Sequence, residues 1–484
     1  MKTNKMNTLL SSLCGCLLLT VSSCTRESKA TVEAYVTTSN RSKDFAKEVV
    51  KMQKATSDTC IVLNPSTRYQ VMDGFGAAMT GSTCYNLLQM SVEDRHRFLE
   101  ETFSVEKGMG YSYVRISIGC SDFSLSEYTC CDEAGIEHFA LQSEEKEYVI
   151  PVLKEMLAVN PNVKILGSPW TCPKWMKVNN LTEQKPHDSW TSGQLNPSCY
   201  KAYATYFVKW VEAFRQEGIP IYAVTPQNEP LNRGNSASLY MEWKEEQAFV
   251  REALGPAFKQ AGLDVKIYAF DHNYNYDNVE GQEDYPLRMY DDEVTAAFLT
   301  GAAYHNYCGD RKELNDIRTQ RPDKELIFTE TSIGMWNDGR NLEYRLMEDM
   351  REVALGTVNN WCKAVIVWNL MLDSERGPNR EGGCRSCYGA VDIDRTDYTT
   401  ITRNSHYYVI GHLSAVVRPG AVRIGISQAP LQVTHAAFEN PDGTYAYVAM
   451  NESDAVRRLE VTDGKHIFCY ELPAKSVASF RWKS

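Results

Sequence analysis

Two glutamates stand where an extended apolar run gives way to a loop. Glu229 follows Thr225-Pro226-Gln227-Asn228 and precedes Pro230, and Glu330 closes Leu326-Ile327-Phe328-Thr329. Two carboxyls brought to one mouth can split a glycosidic bond. One donates a proton to the leaving oxygen and the other attacks the anomeric carbon. Either glutamate alone could equally cap a strand or pair with a loop cation; the matched positions of both favour chemistry. Such chemistry needs no metal or nucleotide. Cys384-x-x-Cys387 has no second pair and no neighbouring His, so zinc is not indicated and no cofactor is expected.

The scaffold that must position the pair is legible as an alternation. Short β-rich runs recur at Val71–Ala77, Tyr111–Gly119, Val163–Trp170, Ile221–Glu229, Lys266–His272, Ala302–Tyr307, Glu325–Thr331 and Ala364–Leu372. Between most of them apolar residues recur at helical spacing, most clearly Tyr200, Tyr203, Phe207, Trp210, Val211 and Phe214. Eight such units predict a (β/α)8 TIM barrel over residues 67–417, with Glu229 ending its fourth strand and Glu330 its seventh. An open doubly wound sheet competes, but no Gly-rich phosphate loop follows any strand. Beyond Val417 six runs alternate apolar and polar residues around the turn Asn440-Pro441-Asp442-Gly443. They predict a side antiparallel β-sandwich over residues 418–484, to which residues 24–66 add one strand.

Composition narrows the class. The 484 residues carry 51 Lys and Arg against 62 Asp and Glu, a net charge of −11, and phosphate backbones would repel such a chain. No nucleic-acid partner is expected. The 27 Tyr and 9 Trp suit cores and sugar faces alike. At the N-terminus Lys2 and Lys5 precede the apolar Leu9–Val21, and Val21-Ser22-Ser23-Cys24 resembles a bacterial lipobox. Residues 1–23 are expected to be a lipoprotein signal peptide, with Cys24 the lipidated residue. The alternative is an ordinary cleaved signal. A membrane partner is expected through the lipid anchor only, on an outer membrane or periplasmic face. Of 15 Cys, most are expected to be small buried hydrophobes.

The ordered motifs Gly74-Phe75-Gly76-Ala77-Ala78-Met79-Thr80, Tyr113-Val114-Arg115-Ile116, Cys120-Ser121-Asp122-Phe123-Ser124, Gly167-Ser168-Pro169-Trp170-Thr171, Gln227-Asn228-Glu229-Pro230, Thr329-Glu330, Trp368-Asn369-Leu370 and Gly377-Pro378-Asn379 are more specific together than any one alone. Tyr407–Ser414 adds a further match. The chain resembles glycoside hydrolase family 30, which includes lysosomal glucosylceramidase, β-1,6-glucanases and β-xylosidases. The resemblance implies a retaining mechanism with Glu229 as acid/base and Glu330 as nucleophile. It implies that Asn228 meets the sugar 2-hydroxyl and that Asp122 and Trp170 hold the far hydroxyls of the −1 glucose. Arg115 matches a floor residue beside the nucleophile, His305 and Tyr307 match a strand-six His-x-Tyr, and Trp368 matches an aromatic platform on strand eight.

Departures from the ceramidase branch lie around the aglycone side. Gly81-Ser82 stand where that branch has an acidic residue, Asn306 replaces an aromatic, and Glu381–Gly389 resembles the β-1,6-glucanase branch. The expected substrate is therefore a β-1,6-linked glucan. A glucosylceramide-like lipid or a β-xyloside is the alternative, and a surface lipoprotein that binds glycan without turnover is the non-enzyme alternative. Endo or exo action and the oligomeric state stay open.

Overall fold

A computed structural model describes residues 31–54 and 60–483. The expected signal peptide over residues 1–23 and the expected lipidation site Cys24 lie outside the described residues. Eight parallel strands close a barrel in chain order: Gly74–Ala78, Tyr113–Ser117, Lys164–Ser168, Ala223–Val224, Lys266–Asn273, Gly301–His305, Glu325–Glu330 and Cys362–Asn369. Each lies within or beside one of the eight apolar runs. Tyr113, Leu166, Tyr268, Ile327 and Ile366 fill the interior, so the barrel is a packed core and the strand ends are the free chemical surface.

Helices form the outer ring where apolar side chains recur every three to four residues. Tyr200–Gln216 buries Tyr203, Phe207, Trp210 and Phe214 against the strands. Gly167 lets that helix approach, since a Cβ there would meet the Trp210 ring at 2.6 Å. The turn after the seventh strand leads into Leu342–Asp349 and the turns that extend it to Asn359.

The second sheet orders ten strands among the described residues and draws on both ends of the chain. Here the sequence expectation is corrected. Residues 31–71 supply four strands rather than one: Thr31–Thr38, Ala46–Lys51, Gln53–Lys54 and Ile61–Val71. The last crosses the expected start of the barrel at residue 67. The sheet is not wholly antiparallel either, because Ile61 and Val62 pair in parallel with Val461 and Thr462. The N-terminal strand Thr31–Thr38 lies between Ala46–Lys51 and the C-terminal strand Ser476–Lys483. Val32, Ala34, Val36, Phe468, Phe480 and Trp482 bury their apolar faces in one core.

Helix Ser405–Ser414, buried along its whole length, joins the two units. His412 bonds Ser479 through Nδ1 and Thr37 through Nε2, both at 2.8 Å. Burial pulls its pKa down to about 3, so it bridges the two chain ends as a neutral ring.

Candidate active site

The C-terminal ends of the strands bring Glu229 and Glu330 together. One carboxylate oxygen of each and a ring nitrogen of His305 lie within 4.8 Å of one another. Spacing this short matches the retaining arrangement, in which no water fits between the carboxyls (~5–5.5 Å against ~6.5–9.5 Å). Both glutamates are 6% exposed, enough for substrate contact in an otherwise closed floor.

Glu330 rests on Arg115, which projects from the second strand and is fully buried. Its Nη1 donates to Glu330 Oε2, and Nη2 donates to Asn228 Oδ1 at 2.7 Å and Asp271 Oδ2 at 2.8 Å. Nε reaches Ser168 Oγ at 3.2 Å. The guanidinium also lies 4.9 Å from the Trp170 ring and 5.4 Å from the Trp368 ring. A buried guanidinium with one partner would cost several kcal/mol; two carboxylates and two aromatic faces compensate it. On the other side Tyr307 donates its hydroxyl to Glu330 Oε1 at 3.0 Å.

Glu229 is held differently. Its backbone adopts φ 47°, a left-handed conformation costly for a residue with a Cβ. Glu229 N–H donates to the Asp271 carbonyl at 3.0 Å, and Asn228 N–H to the Pro169 carbonyl at 2.8 Å. Asn232 and Asn235 each donate an amide to Glu229 Oε2 at 2.8 Å. His305 Nδ1 stands 3.4 Å from Oε1, and His272 Nε2 stands 4.0 Å from it.

The charge balance departs from the expected one. A simple two-carboxylate picture raises the pKa of Glu229 through the charge of Glu330. Burial does push Glu229 up, but the His305 hydrogen bond, His272 and Asn232 outweigh it and hold it down at about 2. Burial dominates at Glu330 and raises it, against His305 and Arg115. Burial would lower His305, yet Glu330, Asp271 and Glu229 raise it to about 9. The mobile proton of the Glu229–His305 pair therefore resides on the imidazole. Its other nitrogen donates to Asp271 Oδ1 at 3.0 Å. The three converging groups could reach one cation, but His305 spends both nitrogens as donors and Glu330 already faces Arg115. The donor set suits a proton more than a metal.

Asp271 is a residue that sequence reasoning missed. It accepts from Arg115, His305, Thr225 and Thr329. Burial raises its pKa, but Arg115 first and then His305 override this and hold it far below the usual carboxylate range. A bulge between Phe270 and His272, with positive φ at Phe270 and Asp271, turns it inward. The available signal was an aspartate directly after the apolar Ile267–Phe270 and inside the strand, where a charge must be paired. His272, Asn232 and Asn235 carried no comparable signal.

The remaining expected residues are close by. Trp170 and Trp368 stack at 5.1 Å, and each is only 2% exposed. Trp368 thus forms part of a buried floor rather than an open platform. Asp122 Oδ1 is buried with no hydrogen-bond partner, and burial lifts its carboxyl well above the usual range. Asn228 has its oxygen engaged by Arg115, which leaves its amide as the free donor. At Gly81 a Cβ would lie 1.9 Å from Glu144 Oε1, so a carboxylate from a distant segment occupies that place. A cavity of about 740 Å³ lined by Asn306, Asp310, Ser332 and Trp336 among others meets the site at Tyr307 and Thr331, on the Glu330 side, and neither glutamate lines it.

Comparison with known proteins agrees with this architecture. Residues 72–417 match the glycosyl hydrolase family 30 TIM-barrel domain, and residues 420–480 match the family 30 beta sandwich domain. An endo-1,6-beta-D-glucanase of Trichoderma harzianum is 31% identical over 435 residues, covering 85% of this chain and 84% of the relative. Lysosomal acid glucosylceramidase of Mus musculus is 24% identical over 464 residues, covering 90% and 85%. The solved structure of the endo-beta1,6-glucanase BT3312 superposes with a TM-score of 0.92 at 64% identity, covering 94% of this chain and 99% of that one. With both domain models matched in order, Glu330 closing the seventh strand and Glu229 on the loop five residues past the short fourth strand, rather than ending it as expected, the chain belongs to glycosyl hydrolase family 30.

Proposed function

We propose that the protein hydrolyses β-1,6-linked glucan by retaining double displacement. Glu330 is the nucleophile and Glu229 the acid/base. The observation that carries this reading is the approach of one oxygen of each carboxylate to within 4.8 Å, with Arg115 paired to Glu330 and not to Glu229. Glu330 attacks the anomeric carbon while Glu229 delivers a proton to the leaving oxygen. As that oxygen gains charge, the His305 proton passes to Glu229 across their 3.4 Å contact. Water then enters on the vacated side, and the same pair takes its proton as it attacks the glycosyl ester. Asn228, Asp122 and Trp170 hold the −1 glucosyl unit, with Trp368 in the floor behind it.

Three features support the glucan. Relatives named as endo-1,6-beta-glucanases include the 64% identical structure. The side cavity is walled by Asn306, Asp310, Arg311, Lys312 and Asn337, a polar surface unlike one that receives a ceramide. Trp336, 52% exposed at its lip, offers an open ring to a following sugar. The test is to incubate the purified enzyme with β-1,6-glucan, β-1,3-glucan, glucosylceramide and xylo-oligosaccharides. Oligosaccharide ladders from the 1,6-glucan alone support endo action on it; rapid ceramide release without glucan cleavage overturns the substrate.

Export as a lipoprotein belongs to the same proposal. The lipobox ending at Cys24 supports it, and no helix among the described residues is long and apolar enough to cross a membrane. One acyl chain binds marginally, so stable attachment takes the several chains of a bacterial lipoprotein. Cys24→Ala should move the protein from the membrane to the soluble fraction; an unchanged distribution would favour the ordinary signal.

A further inference from the structure

The loop after the eighth barrel strand carries a pair of groups that hydrolysis does not use. Cys384 and Cys387 bring their Sγ atoms to 2.6 Å, closer than unbonded sulfurs pack and approaching the ~2.0 Å of a disulfide. Cys387 is buried in a short strand, Cys387–Tyr388, paired with Ile333–Gly334. Cys384 is half-buried in irregular chain. The two thiols are unequal. The hydrogen bond from Cys387 is the main influence that brings Cys384 down to about 6, against burial. The same contact, with burial, pushes Cys387 well above its usual value. An accessible, acidic thiol followed three residues later by a buried partner is suited to exchange with disulfides.

We propose that Cys384 and Cys387 form a redox-active dithiol on the rim of the site, with a low-molecular-weight disulfide as its oxidant. The Cys384 thiolate attacks one sulfur of that disulfide, forming a mixed disulfide and expelling one thiolate. Cys387 loses its proton to solvent and attacks Sγ of Cys384, closing the intramolecular bond and expelling the second thiolate. The protein pair gives up two electrons, and the external disulfide is reduced to two thiols. Closure fixes the loop against the site. Cys384 N–H donates to the Asp122 carbonyl at 3.3 Å, and a Cβ on Gly383 would meet that carbonyl at 2.6 Å. Arg380, on the same loop, donates to the Ser121 carbonyl at 2.7 Å.

The test treats the full chain with 2-hydroxyethyl disulfide, denatures it in iodoacetamide, and digests it without cleavage at arginine. The peptide holding both cysteines should be unalkylated and two hydrogens lighter, and doubly alkylated after dithiothreitol. Cys387→Ser should trap one hydroxyethylthio group on Cys384, while Cys384→Ser should trap none on Cys387. Alkylation of both cysteines in the oxidant-treated protein, or equal trapping by the two variants, overturns the proposal. A last readout rests on the β-1,6-glucan assignment. The reduced form should show a KM about threefold or more higher, with kcat changed by less than about twofold. Equal KM in active protein overturns the link to Asp122, whereas inactivity of both forms on this polymer counts against the substrate instead.

Discussion

His305 places Nδ1 3.4 Å from Oε1 of Glu229, and the imidazole rather than the carboxyl holds their shared proton. The pair titrates as a unit, so its alkaline limit belongs to both groups.

This relationship sets the pH profile. kcat/KM should be bell-shaped, losing activity in acid as Glu330 protonates and in alkali as the pair gives up its proton near about 9. In His305→Gln the proton must reside on Glu229 alone, beside the charge of Glu330. The alkaline limb should then move down by about 2 pH units. Steady-state rates across pH check this, and an unmoved limb would place the proton elsewhere.

The two glutamates should fail differently. Glu330→Gln should lose about 10⁴-fold or more in kcat with every substrate, since no glycosyl ester forms. Glu229→Ala should keep turnover of aryl glucosides with good leaving groups and give a β-glucosyl azide with azide. Proton NMR of the first product should show retained configuration; an inverted product would falsify the double displacement.

Asp271 should matter for stability as well as rate. Asp271→Asn leaves Arg115 and His305 short of a counter-charge in a fully buried place, a loss of about 3–5 kcal/mol. Because the folded carboxyl titrates far below its ordinary value of about 4, its contribution is complete above that value and fades as pH falls through and below it. Denaturant melts should therefore show a large gap between wild type and variant at pH 7 and a smaller one at pH 3.

Gly81→Asp should destabilise the fold by about 2–4 kcal/mol, because its side chain would enter the space of the Glu144 carboxylate. Adding Glu144→Ala should recover more than half of that loss. A double-mutant cycle in thermal unfolding reads the coupling, and simple additivity would separate the two positions.

Much of this site is legible in the sequence because barrel geometry converts chain position into place. Once Ile221–Glu229 and Glu325–Thr331 are counted as the fourth and seventh strands, their terminal glutamates must meet at one mouth. Asp271 escaped because its inward turn depends on a bulge, and a local break in strand register leaves no periodic trace. The proton balance escaped for another reason: it depends on Arg115, Glu229, Asp271, His305 and Glu330, from five strands and the loops after them, meeting within a few ångströms. The N-terminal strands were undercounted because Ala46–Lys51 shows no apolar–polar alternation in its residue types and Gln53–Lys54 is only two residues long. Their partners lie at the far end of the chain, where no local pattern points back to them.

That distant partnership has a consequence for how the molecule is made. Among the described strands Thr31–Thr38 is made before all the others, yet one of its neighbours, Ser476–Lys483, is made after them. The whole barrel must pass between them, so one edge of the early hairpin waits unpaired while most of the chain is still arriving. Completion of the sandwich thus waits until Ser476–Lys483 has been made and delivered to Thr31–Thr38. A chain cut short before Ser476 leaves the apolar residues Val32, Ala34 and Val36 without their cover from Phe480 and Trp482, and offers quality-control proteases an uncovered sheet edge.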